Sequence, residues 1–204
     1  PAAEWLDRIR ELELLAETPG GTSLASTTTP RFVTRFFGRE QEMAAVTHAL
    51  GAGELLTVVG AGGSGKTRLA IEVALRASEI RNGWFVPLDT VGLVEQSVAE
   101  VVAQVLGVAG AADPLDAVVA HIGTAPALLV LDNCEHVLAD ASETAVGLLG
   151  RCPRLSVMAT SREPLQTASG RVFWLEPFGA GDADAAAIFV DRAERAGWRH
   201  AVED

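Results

Sequence analysis

Tyrosine is absent from the 204 residues, cysteine occurs twice and lysine once, and no apolar run approaches the roughly 20 residues that cross a bilayer. Each gap removes a class of protein. Without a membrane-length run, the expectation is a soluble, cytoplasmic chain with no membrane partner. Cys134 and Cys152 lack metal-ligand spacing, and a lone pair is poor evidence for a disulfide framework at this size, so reduced thiols are the default. Basic residues number 16 against 27 acidic ones, a formal charge of −11, which argues against a broad basic face that grips nucleic acid. Any DNA contact is expected outside this stretch of chain. The first residue is Pro1, and no basic segment followed by an apolar one precedes the folded part. No secretion signal is expected, and the missing Met suggests a piece excised from something longer.

Apolar residues make up 49% of the chain, ample for a packed core. Trp5, Leu6, Ile9, Leu12 and Leu15 recur at near-helical spacing within Glu4 to Glu17, predicting an amphipathic helix. From Thr18 to Pro30 the composition turns to Thr, Ser, Gly and Pro, a candidate linker, so the core should begin near Phe32. A helix is expected from Arg39 to about Leu50. Beyond it, strand-like runs (Leu55–Val59, Trp84–Leu88, Ala127–Leu131, Leu155–Ala159, Val172–Leu175) alternate with helical ones (Thr67–Ser78, Val94–Leu106, one starting at Asp113-Pro114, Glu135–Leu149, Asp184–Ala196). Such alternation implies an α/β fold, a parallel sheet covered on both faces. His48 and His121 fall in helical patterns and are expected to pack or face solvent.

Gly60-Ala61-Gly62-Gly63-Ser64-Gly65-Lys66-Thr67 matches GxxxxGK(S/T) between a strand and a helix, the context a phosphate-binding loop requires. Glycines let successive N–H groups curl around phosphates, and the helix beginning there adds its partial positive end. Lys66 would reach the β and γ phosphates, and the Thr67 hydroxyl would serve a hard cation such as Mg2+. Arg68, next along, joins the candidate nucleotide contacts. Lys66 is the sole lysine; the other fifteen basic residues are arginine. A compact ammonium on a flexible stem fits between phosphate oxygens where a planar guanidinium does not.

Leu128-Leu129-Val130-Leu131-Asp132 is an apolar strand ending in a carboxylate, suited to hold Mg2+ directly or through water. Glu135 could orient or deprotonate an attacking water, or be a helix-start acid favoured by the macrodipole. Arg162, after the next strand, would emerge at the same sheet edge and suits a γ-phosphate sensor, the alternative being a surface arginine paired with Glu163. Thr160 and Ser161 could contact phosphate or cap a turn.

Taken together, these segments resemble the STAND class of signalling NTPases, in particular the NB-ARC-like ATPase module of large bacterial SARP- and LuxR-type transcriptional regulators. The carriers are Phe37-Gly38-Arg39-Glu40, the loop from Gly60 to Thr67, Leu131-Asp132-Asn133-Cys134-Glu135-His136, Ala159-Thr160-Ser161-Arg162-Glu163-Pro164-Leu165, and Trp174-Leu175-Glu176-Pro177-Phe178. The resemblance implies a three-layer P-loop NTPase of the ASCE type with a mostly parallel five-stranded sheet in the order 5-1-4-3-2. It covers roughly Phe36 to the C-terminus, and with the composition the chain is expected to divide into an N-terminal helix and linker (1–30), a nucleotide-binding domain (31–178) and the start of a helical subdomain (179–204).

It also implies a switch: ADP holds a closed state, and exchange for ATP opens it toward a homo-oligomer or a DNA-binding form through other domains of the same protein. Phe37, Gly38 and Arg39 become candidate adenine contacts. Many relatives carry a second Asp after the magnesium Asp, whereas Asn133 stands here and cannot act as a base, so slow ATP hydrolysis is expected. The chain also ends at Asp204, before the winged-helix part that would complete the ADP cage. Two rival readings are a STAND protein of signalling or defence not tied to DNA, and a P-loop kinase with its own substrate pocket.

Overall fold

The structure is a computed structural model, which describes residues 30, 35–77, 82–89, 91, 96–179 and 181–195. The expected N-terminal helix, the linker up to Pro30 and the core start near Phe32 lie outside the described residues. In chain order the elements are α1 (Glu40–Ala49), β1 (Leu55–Val59), α2 (Lys66–Ala77), β2 (Asn82–Pro87), α3 (Val98–Val105), α4 (Pro114–Ile122), β3 (Ala127–Asp132), α5 (Leu138–Leu149), β4 (Leu155–Ser161), β5 (Arg171–Trp174) and α6 (Ala183–Arg195).

The five strands form one sheet in the order β2-β3-β4-β1-β5, which read from the other edge is 5-1-4-3-2. Every pairing is parallel. Burial separates the interior strands from the edges. β1, β3 and β4 are buried along their whole length and take the interior, while β2 and β5 carry exposed residues and take the edges. Pro87, which has no N–H to donate, lies in edge strand β2.

Side chains alternate across each strand, so one apolar run feeds two cores. Leu129, Leu131, Val157 and Ala159 join the α3, α4 and α5 side. Leu128, Val130 and Met158 join the α1 and α2 side. Helices therefore cover both faces, giving three layers.

Several boundaries differ from the sequence expectation for local reasons. The helix expected from Val94 begins at Val98, because Ser97 and Glu100 form a reciprocal capping box that starts a helix there. Glu135 is not in the helix expected from that residue to Leu149. It sits in a short 3-10 turn, Cys134–His136, entered through Asn133 at φ 67, and α5 starts only at Leu138. The strands β3 and β4 run on to Asp132 and Ser161, so both polar ends belong to the sheet itself. The Asp113-Pro114 start holds: the Asp113 side chain accepts the Asp116 N–H, with Pro in the first turn. Among the described residues no helix is long and apolar enough to cross a membrane.

Leu129 is fully buried at the middle of β3. Leu129→Ala should cost about 2–5 kcal/mol through lost transfer and an unfilled cavity, read from the urea unfolding midpoint. A loss under about 1 kcal/mol would contradict this packing.

Candidate phosphate-binding site

Three strands deliver the site because their carboxyl ends are in register. Val59 lies opposite Ser161, and Leu131 opposite Ala159, so the loop after β1, Asp132 and Arg162 emerge side by side. The crevice beyond strand ends is where open parallel sheets bind ligands.

The loop leaves β1 under tight restraint. Gly60 donates its N–H to Ser161 O at 3.3 Å, and Leu175 donates to Val59 O at 2.7 Å. A Cβ on Gly60 would collide with the Leu175 carbonyl, so only glycine fits at that crossing. Gly63 and Gly65 take φ values of 77 and 93, which curl the loop back before α2 opens at Lys66. The Lys66 ammonium folds over this curl, donating to the carbonyls of Gly60 and Ala61 at 2.8 and 2.9 Å. Ser64 is buried, and its Oγ has no hydrogen-bond partner among the described residues.

Asp132 faces the start of α2. Its Oδ2 accepts from the Thr67 hydroxyl at 3.1 Å, and its Oδ1 from the Thr160 hydroxyl at 2.5 Å. Burial is the chief influence on the carboxyl and raises its pKa above the usual 3.8. The two hydroxyls oppose that rise, Glu135 adds to it, and Lys66 works against it. Nearby Cys134 is pushed up to about 12 by burial and the adjacent carboxylates, so it is an inert apolar filler.

Glu135 and Arg162 meet each other. Arg162 Nε lies 3.1 Å from Glu135 Oε1, and the guanidinium also sits 3.7 Å from where a Cβ on Gly62 would be. Arg162 thus pairs with Glu135, in the 3-10 turn after β3, in place of its chain neighbour Glu163. Glu135 Oε2 is buried without a hydrogen-bond partner among the described residues.

The loop from Gly62 to Thr67, with Asn133, Glu135, Thr160 and Arg162, lines a cleft of about 620 Å3, together with Phe36, Phe37, Phe178 and, from α6, Ile188 and Arg192. Arg39 is engaged in several directions. Its guanidinium pairs with Glu42 at 2.6 Å, donates to Glu176 O at 2.5 Å and stacks 4.1 Å from the Phe178 ring centre. The side chain therefore ties the segment after β5 to the head of α1. Gly38 packs against Asp184 at the start of α6 so closely that a Cβ would clash. Arg68 forms an ion pair with Glu72 at 2.8 Å and faces the Phe36 ring. Phe178 and α6 as a cleft wall were not foreseen from the sequence. The resemblance at Trp174 to Phe178 marks that stretch, but only the chain's return past β1 brings it to the loop.

A cation implied by such a site would find one carboxylate and one hydroxyl, both hard oxygen donors, at Asp132 and Thr67. Among the described residues there is no cluster of three or more His, Cys, Asp or Glu able to build a cage. That donor set fits Mg2+, which keeps several waters and relies on substrate phosphates, better than an ion needing an all-protein cage.

No family model matches the chain. A provisionally named HTH-type transcriptional regulator of Mycobacterium tuberculosis is 40% identical over 150 residues, covering 72% of this chain and 17% of its own length. An uncharacterized protein of the same organism is 37% identical over 170 residues, covering 82% of this chain and 43% of its own length. The chain thus spans less than half of the curated relatives it matches. Among solved structures, a signal transduction ATPase with numerous domains (STAND), with a tetratricopeptide repeat sensor, from Pyrococcus horikoshii aligns with a TM-score of 0.51. Its identity is 16%, over 89% of this chain and 28% of that one. The fold is that of a P-loop NTPase.

Because the folded state raises the Asp132 pKa, it binds that proton more tightly than the unfolded chain does. Stability from this group is therefore lost as pH rises from 3.8 through the raised value. Asp132→Asn should raise the thermal midpoint at neutral pH, with the gain shrinking as pH falls toward the ordinary carboxylate value. A midpoint that drops at neutral pH would contradict a burial penalty.

Proposed function

We propose that this chain is an ATP/ADP switch module, an NB-ARC-like ATPase domain of the STAND class, within a longer transcriptional regulator. The observation that carries the reading is the convergence of Lys66, Thr67 and Asp132 at the carboxyl ends of β1 and β3 with β4 between them. The transcriptional part draws on the relative named as a regulator.

In this reading the loop amides from Gly60 to Gly65 cradle the phosphates at the N-terminus of α2. Lys66 exchanges two carbonyl partners for phosphate oxygens, and Arg68 flanks them. Thr67 and Asp132 would hold Mg2+, which would neutralise phosphate charge. Arg162, already beside Gly62, senses the γ phosphate. Glu135 orients water once Arg162 turns away, while Asn133 supplies no base, so hydrolysis is slow. Phe37 and the Gly38–Arg39 backbone contact the base; the Arg39 guanidinium serves the Glu42, Glu176 and Phe178 contacts instead.

Residues 31–178 form the nucleotide-binding domain, and 179–204 begin the helical subdomain whose first helix, α6, walls the cleft. Nucleotide state controls a cytoplasmic homo-oligomer and DNA binding through domains outside this chain. A P-loop kinase would need a second, basic substrate pocket. The neighbouring cleft of about 190 Å3 is acidic, lined by Glu40, Glu42, Asp182 and Asp184 beside Arg39.

Calorimetric titration with ATP and ADP in Mg2+ tests this. Lys66→Ala should weaken both nucleotides by about tenfold or more, since a charge-assisted hydrogen bond contributes ~1.5–3 kcal/mol. Arg162→Ala should weaken ATP more than ADP. Equal affinities in wild type and Lys66→Ala would end the nucleotide reading.

A further inference from the structure

We infer that Arg39 is a positioning residue whose guanidinium couples the phosphate loop to the Glu176–Phe178 segment leading into α6, so that phosphate in the loop sets how firmly α6 is held. The inference rests on the nucleotide-binding reading above and adds a regulation of that same site.

Arg39 stands at the head of α1 in the left-handed region, φ 65 and ψ 14. That conformation is unfavourable for a residue with a Cβ and persists where surrounding contacts hold it. The side chain is 8% exposed. Its Nη1 donates to Glu42 Oε1, which fixes the fork from the α1 side. Its Nη2 carries two hydrogens and has two carbonyls in reach, Glu176 O at 2.5 Å and Ser64 O at 3.5 Å. One nitrogen thus bridges the approach to α6 and the phosphate loop. The Phe178 ring centre, 4.1 Å from the guanidinium carbon, covers the face of the fork.

Ser64 O and the Gly65 N–H belong to one trans peptide, in which the carbonyl and the N–H point opposite ways. Holding the Ser64 carbonyl toward Arg39 turns the Gly65 N–H away from it, to the loop face that the reading above gives to phosphate. An anion on that N–H polarises the peptide and makes its carbonyl a stronger acceptor, so the long contact to Arg39 tightens. The other end of the bridge bears on α6. That helix has no buried residue, and it meets the core where Gly38 lies against Asp184. Its attachment therefore depends on the residue beside Arg39 and on the segment that Arg39 holds. An arginine that only capped α1 would need Glu42 and neither carbonyl.

The test follows hydrogen exchange of residues 176–195 in the 204-residue chain, with and without Mg2+ pyrophosphate, which can fill the loop but has no base to touch α6. In wild type, saturating pyrophosphate should slow exchange there by about fivefold or more, the low end of usual coupling between sites. Arg39→Gly suits the left-handed backbone while removing the guanidinium. It should abolish the slowing at saturation and, by reciprocity, weaken pyrophosphate binding measured by calorimetry by about the same factor. If Arg39→Gly does not fold by circular dichroism, Arg39→Gln makes the same comparison. Slowing that survives in the variant, even on a faster ligand-free rate, would leave Arg39 a structural role only and overturn the inference. So would a wild-type chain that binds pyrophosphate without slowing, one that binds ADP but not pyrophosphate, or binding lost altogether in the variant, as for a direct phosphate ligand. Each of these outcomes leaves the nucleotide reading intact. A wild-type chain that binds neither ligand would remove both.

Discussion

Asp132 stands at the carboxyl end of a fully buried strand, a place where a carboxylate loses water and must find donors in the protein. Two hydroxyls meet it, one from the helix that opens after the phosphate loop and one from the neighbouring strand. That arrangement fastens α2 to β3 and β3 to β4 at the point where the sheet becomes polar. The residual burial penalty, seen as a raised pKa, is a cost in stability that a purely structural core would not carry.

The same edge sets the rest of the cleft. The Gly60 crossing beneath the Leu175 carbonyl brings the end of β5 onto the loop, and Arg39 then ties the following segment to α1. Through these contacts α6, which has no fully buried residue of its own, becomes a wall of the cleft. Sparse burial of this kind belongs to elements of low local stability, from which moving parts are commonly drawn. Glu135 and Arg162 are held together at this edge, with the guanidinium close to Gly62.

Much of the fold was legible along the chain. The continuous apolar runs at Leu55, Ala127 and Leu155 announce interior parallel strands, and each proved buried throughout. The glycine-rich loop and the lone lysine stand out as a candidate phosphate end, because backbone freedom and a compact ammonium suit that role. The order of the strands came from resemblance to a known class, since spacing alone does not say which strand inserts between β1 and β3. The start of α3 was misplaced because a capping box can act inside a longer helical pattern, and Glu135 was put in a helix because periodicity does not see a left-handed residue at Asn133.

The sequence by itself determined the alternation of strands and helices, the phosphate loop with Lys66, and the acidic strand end, because each is encoded by residues close together in the chain. Tertiary structure alone decided what those groups touch. Thr160 meets Asp132 across 28 positions, Glu176 meets Arg39 across 137, and Arg162 chooses Glu135 over its neighbour Glu163. Such partners are set by strand register and sheet order, which bring distant residues within hydrogen-bond reach and leave no local trace in the sequence.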